Sequence, residues 1–340
     1  MLRVLHLLDH NADFQTRYLA QALSNKTTRL FFRPGARGIW NAMRLLNRQL
    51  VPDIVHAWGR QALLAAAIAN IAPIVFSPPT ETTRADWNWL RRISKYRDVR
   101  TIFSSPMRQL EAKRHGTASD KDSVIPPGLA PIECQRNDKL RKQLGFCADD
   151  FVILAPGEST PAAGHRLALW TVAILRELDP TWKLLIWGRG KSAGDLQSLA
   201  RRLGHLRLVR FARDWEFESL LSVPDAALIM SDPTAATIPV ALCMAAGIPI
   251  ATTSDLFTDR RNALRVTNES PRRLAQRLLE LRTNPALSRS LAAAARIDAA
   301  KIFNLDEFLQ RHRNLYLETG ASAKAKGEPW KSQASLGNSR

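Results

Sequence analysis

The strongest constraint on this chain is a repeated order. Short apolar runs bounded by turn residues are each followed by a longer segment with helical spacing, and the whole order occurs twice. In the first pass, strands are expected over residues 2–8, 53–57, 74–77, 101–104 and 123–125. Helices are expected over 14–23, 39–50, 62–70, 86–97 and 107–115. Repeated strand–helix–strand units of this kind build mostly parallel sheets.

The order restarts after residues 126–137, where Pro126, Pro127 and Gly128 can continue neither a helix nor a central strand. The second pass places strands over 151–155, 183–187, 208–211, 226–229 and 249–251, and helices over 164–178, 194–203, 217–222 and 238–246. Only helical patterns follow, over 271–281, 285–302 and 305–318. A chain of 340 residues exceeds what one core usually serves. The expected organisation is a first domain over 1–130, a linker over 131–150, a second domain over 151–303, and a helix over 304–319 that returns to the first domain. Residues 320–340, rich in Ala, Ser, Lys and Gly, read as a disordered basic tail. The fold class is α/β, with two doubly wound Rossmann-like domains facing a cleft, C-terminal helices, and the ligand at the strand C-termini.

Forty-nine Lys and Arg against 31 Asp and Glu leave a net charge of +18, a field that attracts phosphates, anionic lipid headgroups or polyanions. The basic residues are spread along the chain without aromatic interleaving in one patch, which points away from specific nucleic-acid recognition. No run reaches the roughly 20 apolar residues of a membrane span. The start lacks the pattern of a secretory signal, and Cys134, Cys147 and Cys243 have no metal-ligand spacing. The expectation is a cytoplasmic protein, with peripheral contact to an anionic membrane at its inner surface as an option.

Several segments resemble glycosyltransferase family four, the retaining GT-B enzymes that include glycogen-synthase-like and sucrose-synthase-like proteins. Asp53-Ile-Val-His-Ala-Trp-Gly59 is similar to the family's D-V-V-H-x-H-x strand, and Val124-Ile-Pro-Pro-Gly128 to its V-I-P-N-G. Phe151-Val-Ile-Leu-Ala-Pro-Gly157 resembles the strand that opens the donor domain, after Leu140-Arg-Lys-Gln-Leu-Gly-Phe146. Leu184-Leu-Ile-Trp-Gly-Arg-Gly190, Val209-Arg-Phe211, Asp225-Ala-Ala-Leu-Ile-Met-Ser231 and Met244-Ala-Ala-Gly-Ile-Pro-Ile-Ala251 follow in the family's order.

The resemblance implies catalysis by electrostatic support of a diphosphate leaving group, from an Arg and a Lys in a G-R-x-x-x-x-K-G loop and a helix N-terminus. Here that loop runs Gly157 to Gly164, with Glu158 in place of the Arg and Ala163 in place of the Lys. The family's two Glu residues fall on Thr234 and Leu242, the latter with core spacing. The first-domain Gly-Gly loop becomes Asp9-His-Asn-Ala-Asp13, and a T-x-H becomes Ser77-Pro-Pro-Thr-Glu81. The remaining candidates for phosphate or donor binding are Gly157, Gly188, Arg189, Gly190, Lys191, Arg213, Ser231, Thr234, Ala235, Ala236 and Thr237. His56 is the candidate near the chemistry, and Trp58, Trp187 and Trp215 are either stacking platforms or buried packing.

The function implied is transfer of a sugar from a nucleotide-sugar donor to an acceptor that is a glycan, a lipid or a small molecule. The alternative is an inactive GT-B pseudoenzyme that binds or scaffolds a partner glycosyltransferase. No metal and no cofactor are expected, since the nucleotide-sugar is a substrate.

Overall fold

The computed structural model describes residues 2–24, 29–32, 52–188, 190, 192–204, 206–230 and 237–325 of the 340. The helix expected over 39–50 lies outside them. The chain divides into two compact units, Met1–Gly128 with Leu305–Arg340, and Leu129–Asn304.

In the first unit, β1 (Val4–Asp9), β2 (Arg29–Phe32), β3 (Ile54–Trp58), β4 (Ile74–Ser77), β5 (Val99–Phe103) and β6 (Ser123–Val124) form one parallel sheet in the order β2-β1-β3-β4-β5-β6. Every residue of β3 and β4 is buried, as expected of central strands covered on both faces. The connections are α1 (Phe14–Ala22), α2 (Arg60–Ala69), α3 (Arg84–Ile93) and α4 (Pro106–Arg114). Because β3 to β6 step across the sheet in one direction, right-handed crossovers put α2, α3 and α4 on the same face. Helix α3 starts where Thr83 and Asp86 form a capping box, and its Trp87, Leu90 and Ile93 stripe enters the core. Sequence reasoning missed β2, an edge strand paired only with β1.

In the second unit, β7 (Phe151–Ala155), β8 (Trp182–Ile186), β9 (Val209–Phe211), β10 (Ala226–Ile229), β11 (Ile250–Thr252) and β12 (Leu264–Arg265) form a parallel sheet in the order β12-β11-β10-β7-β8-β9. Its helices are α5 (Asp138–Gln143), α6 (His165–Leu178), α7 (Ala193–Arg202), α8 (Phe217–Leu220), α9 (Thr237–Ala245), α10 (Pro271–Thr283) and α11 (Pro285–Ile302). Strand order reverses at β7, with β8 and β9 to one side and β10 to β12 on the other. A buried guanidinium ties the strand starts together: Arg141 donates to the carbonyls of Val223 (2.6 Å) and Asp150 (2.5 Å) and to the Asp225 carboxylate (3.0 Å). The same carboxylate accepts from the Val152 amide at 2.8 Å. A charge this deep is tolerable only when its partners are in place.

The last helix, α12 (Leu305–Ala325), belongs to the first unit. It corrects the expectation of disorder from residue 320, since the helix continues to Ala325. Thr319 donates its hydroxyl to the Leu315 carbonyl within the helix at 2.6 Å, and Gly320 lies beside the Leu2 side chain ahead of β1. Helix α12 meets the sheet through a buried polar seam. His56 Nδ1 lies 2.7 Å from the Tyr316 hydroxyl and Nε2 lies 2.9 Å from Ser77 Oγ, one nitrogen donating and the other accepting. Trp58 Nε1–H donates to His6 Nδ1 at 3.0 Å, and His312 Nδ1–H to the Phe308 carbonyl at 2.9 Å.

Burial, and secondarily the neighbouring His6 and His312, hold His56 neutral far below the usual imidazole range. Burial also lowers His312 to about 4. A group depressed in the folded state binds its proton more readily when unfolded, so stability is present at neutral pH and is lost as pH falls from ~6.5 toward 4. Thermal melts from pH 7 to 5 are expected to show a falling Tm, and a flat profile would contradict the seam. Tyr316→Phe, which strips His56 of one buried partner, is expected to cost about 1–3 kcal/mol in urea unfolding at pH 7.

Candidate functional site

Parallel sheets bind ligands where strand order reverses, at the strand C-termini. In the second unit this is the end of β7. There the chain passes through Gly157 with φ of 114°, reaches a short 3₁₀ turn at Pro161–Ala163, and enters α6 through Gly164 with φ of 68°. The loop leaving β8 is seated on it backbone to backbone. Gly188 (φ 122°) packs so that an added Cβ would fall 2.0 Å from the Gly157 carbonyl oxygen, and at Gly190 it would fall 2.4 Å from that of Ser159. The Ser192 amide donates to the Ser159 carbonyl at 2.9 Å, and Ser159 Oγ donates to the Gly188 carbonyl at 3.0 Å. The glycines at 157, 188 and 190 are therefore explained by close approach and positive φ.

Helix α6 begins with no side-chain cap and no acidic residue in its first turn; the Leu167 amide donates to the Gly164 carbonyl at 2.9 Å, so the amides that could meet an anion are those of His165 and Arg166. Just inside it, buried His165 is neutral, lowered to about 4 by desolvation, with Nε2 3.4 Å from the Pro156 carbonyl. The next residue, Arg166, is exposed. A cation in the first turn opposes the helix dipole, and a bound anion would offset that penalty. Sequence reasoning missed Arg166; the signal was a lone basic residue just past the substituted Ala163. That alanine is 5% exposed and fills the turn with its methyl group, so nothing at 163 reaches out as a Lys would. Glu158 is half-buried in the same loop.

Of the other sequence candidates, Arg213 lies exposed beyond β9 and Thr237 opens α9. Arg189, Lys191, Ser231, Thr234, Ala235 and Ala236 lie outside the described residues. Leu242 is fully buried, as its spacing indicates. Trp187 is packing: its ring sits 4.4 Å from that of Phe217 and its indole N–H donates to the Trp215 carbonyl at 3.0 Å. Trp215 itself is exposed.

In the first unit His56 is wholly buried, with both ring nitrogens engaged inside the α12 seam. Its place is structural, and Trp58 packs on it with ring centroids 4.2 Å apart. The Asp9 loop has its own logic. The Asp9 carboxylate accepts from the amides of Ala62 (2.8 Å) and Gln61 (3.3 Å), so it fills the anion position at the start of α2. Gly59 is needed beside it, since a Cβ there would meet the carboxylate at 2.6 Å.

A cavity of about 570 Å³ opens elsewhere, between α10 and the end of β12. Its Arg277 pairs with Asp259 (3.4 Å) and Glu280 (3.1 Å), so much of its charge is neutralised internally. Among the described residues no group of His, Cys, Asp and Glu could hold a metal ion, and no helix is long and apolar enough to cross a membrane.

Residues 150–284, which contain the whole of this loop arrangement, match the family model for glycosyl transferases group 1. With this match, the chain is glycosyltransferase-like. The Bacillus subtilis protein named "Putative glycosyltransferase EpsD" is 27% identical over 197 residues, covering 56% of this chain and 50% of that protein. The chain thus spans about half the length of the curated relative it matches. In three dimensions it is similar to HepE of Anabaena solved with UDP-glucose, with TM-score 0.78 at 16% identity over 95% of this chain and 100% of that one. Sucrose-phosphate synthase from Thermosynechococcus elongatus gives TM-score 0.73 at 14% identity, over 94% and 100% of the two chains. The fold is that of the GT-B glycosyltransferases, two Rossmann-like α/β domains with parallel sheets.

The seating of the two loops predicts that Gly188→Ala is severely damaging. The backbone clash and the strained φ together are expected to cost more than about 3 kcal/mol, read as a loss of urea midpoint, whereas Gly194→Ala, in open space, is tolerated.

Proposed function

We propose that the chain is a glycosyltransferase that takes a sugar from a nucleotide-sugar donor and passes it to an acceptor hydroxyl. The observation that carries this reading is the uncapped start of α6, held by the glycine-seated loops inside the segment matched to group 1 glycosyl transferases. In this reading the donor diphosphate rests on the first amides of α6, and Arg166 and Arg213 neutralise the charge that grows on the leaving group. Arg166 then takes over the role of the Lys that Ala163 has replaced. HepE, a structural relative, was solved with UDP and with UDP-glucose, which favours a nucleotide donor of this class here as well. On the resemblance to family four, we propose that the transfer is of the retaining type.

Glu158 sets a limit on affinity. A carboxylate beside a diphosphate repels it by ~1 kcal/mol or more where water is partly excluded. Removal of that charge should tighten binding, the opposite of what loss of a ligand-binding residue does.

Calorimetry against a panel of nucleoside diphosphates is expected to show millimolar or tighter binding of one of them. Arg166→Ala should weaken it about tenfold, and Glu158→Gln should strengthen it about fivefold. If no nucleotide or nucleotide-sugar in the panel raises the Tm, the transferase reading fails, and the non-catalytic scaffold stands in its place.

A further inference from the structure

Helix α10 has two faces of opposite character. Leu274, Ala275, Leu278 and Leu281 enter the core of the second unit. Arg273, Gln276, Arg277 and Glu280, spaced three or four residues apart, form one wall of the cavity of about 570 Å³. Asp259, Arg265 and Thr267, on and around the edge strand β12, form the other wall.

The carboxylates of this cavity are already committed. Asp259 accepts from the Arg265 amide at 2.8 Å and lies 3.4 Å from Arg277, and Glu280 lies 3.1 Å from Arg277 and 2.7 Å from Arg260. The guanidiniums of Arg265 and Arg273 are left over: among the described residues neither is paired with a carboxylate. Arg265 Nε is buried and has no hydrogen-bond partner among them, which is costly for a charged donor. Arg272 joins Arg273 in the first turn of α10, where there is no acidic residue and the helix dipole opposes a cation.

An anion in the cavity would answer each of these costs. Two unpaired guanidiniums match a dianion: a carboxylate carries one charge, whereas a phosphate monoester carries nearly two at neutral pH and presents oxygens that suit the guanidinium fork. Phosphate by itself would leave most of the 570 Å³ unfilled, and that volume lies in the range of small-molecule sites. The remaining lining suits hydroxyl groups, since the Thr267 hydroxyl and the Gln276 amide both donate and accept, and the carboxylates of Asp259 and Glu280 accept. A long polyanion would instead meet those two carboxylates with like charge. We infer that this cavity binds a small organic phosphate, a phosphorylated polyol, with its phosphate on Arg265 and Arg273. The site uses none of the residues assigned to the donor diphosphate, so the inference does not rest on the proposed transferase activity.

Titration calorimetry of the full chain with ribose 5-phosphate, glycerol 3-phosphate, inorganic phosphate and ribose tests it. At least one of the two esters is expected to bind with a submillimolar Kd, about tenfold or more tighter than inorganic phosphate, and ribose is expected not to bind. Arg273→Gln, at an exposed position, should weaken the ester about tenfold with unchanged Tm, and Arg265→Gln by a similar factor. Arg166→Ala, and Arg201→Gln with Arg202→Gln on exposed positions of α7, should each leave the affinity within about twofold. The inference is overturned if neither ester binds more tightly than inorganic phosphate, or if Arg273→Gln has no effect. It is also overturned if Arg166→Ala weakens the ester as much as Arg273→Gln does, which would place it at the start of α6, or if the α7 pair does so, which would make net charge responsible.

Discussion

The chain leaves its first unit at Gly128 and returns to it at Leu305, so the integrity of that unit depends on how α12 is held. The grip is a hydrogen bond between residues 260 apart in sequence, Tyr316 and His56, supported by a close approach at Gly128. A Cβ on Gly128 would sit 2.6 Å from the Phe308 Cβ, so the departing strand end and the returning helix are nearly in backbone contact. The seam is polar and buried. Burial here is tolerable because the imidazoles of His56 and His312 are held neutral and His56, His312, Tyr316 and His6 Nδ1 are hydrogen-bonded. The same seam that closes the unit also makes it sensitive to acid, since protonation would place charge where water cannot reach.

The second unit uses backbone proximity in a different way. Its β7 and β8 loops interlock through glycines and serines with almost no side chain between them, and that rigidity aims the start of α6. Around this frame Ala163 packs its methyl group, Glu158 is half-buried, and an arginine stands exposed at 166. Helix N-termini attract anions whatever side chains surround them. In the first unit the corresponding position is filled from within, because Asp9 supplies its own carboxylate to α2.

Much of the fold was legible in the residue order. The apolar runs at 74–77, 151–155 and 226–229 became strands with those same bounds, and the helix over 285–302 matched its pattern end to end. What escaped were the edge strands at 29–32 and 264–265. Paired on one side only and a few residues long, such strands leave too little pattern to register. The last turns of α12 escaped as well. The glycines at 157, 188 and 190, expected from the sequence to bind donor or phosphate, have a packing reason in the structure, and a close approach between two loops has no signature in either loop alone.

The sequence by itself determined two parallel α/β domains in succession. Period and order are local properties, carried by neighbours along the chain. Tertiary structure alone decided that His56 is a sealed core group rather than a reactive one, and that Arg166 stands exposed at an uncapped helix start. These outcomes depend on which residues become neighbours after folding, and burial, desolvation and hydrogen-bond satisfaction act only between such neighbours.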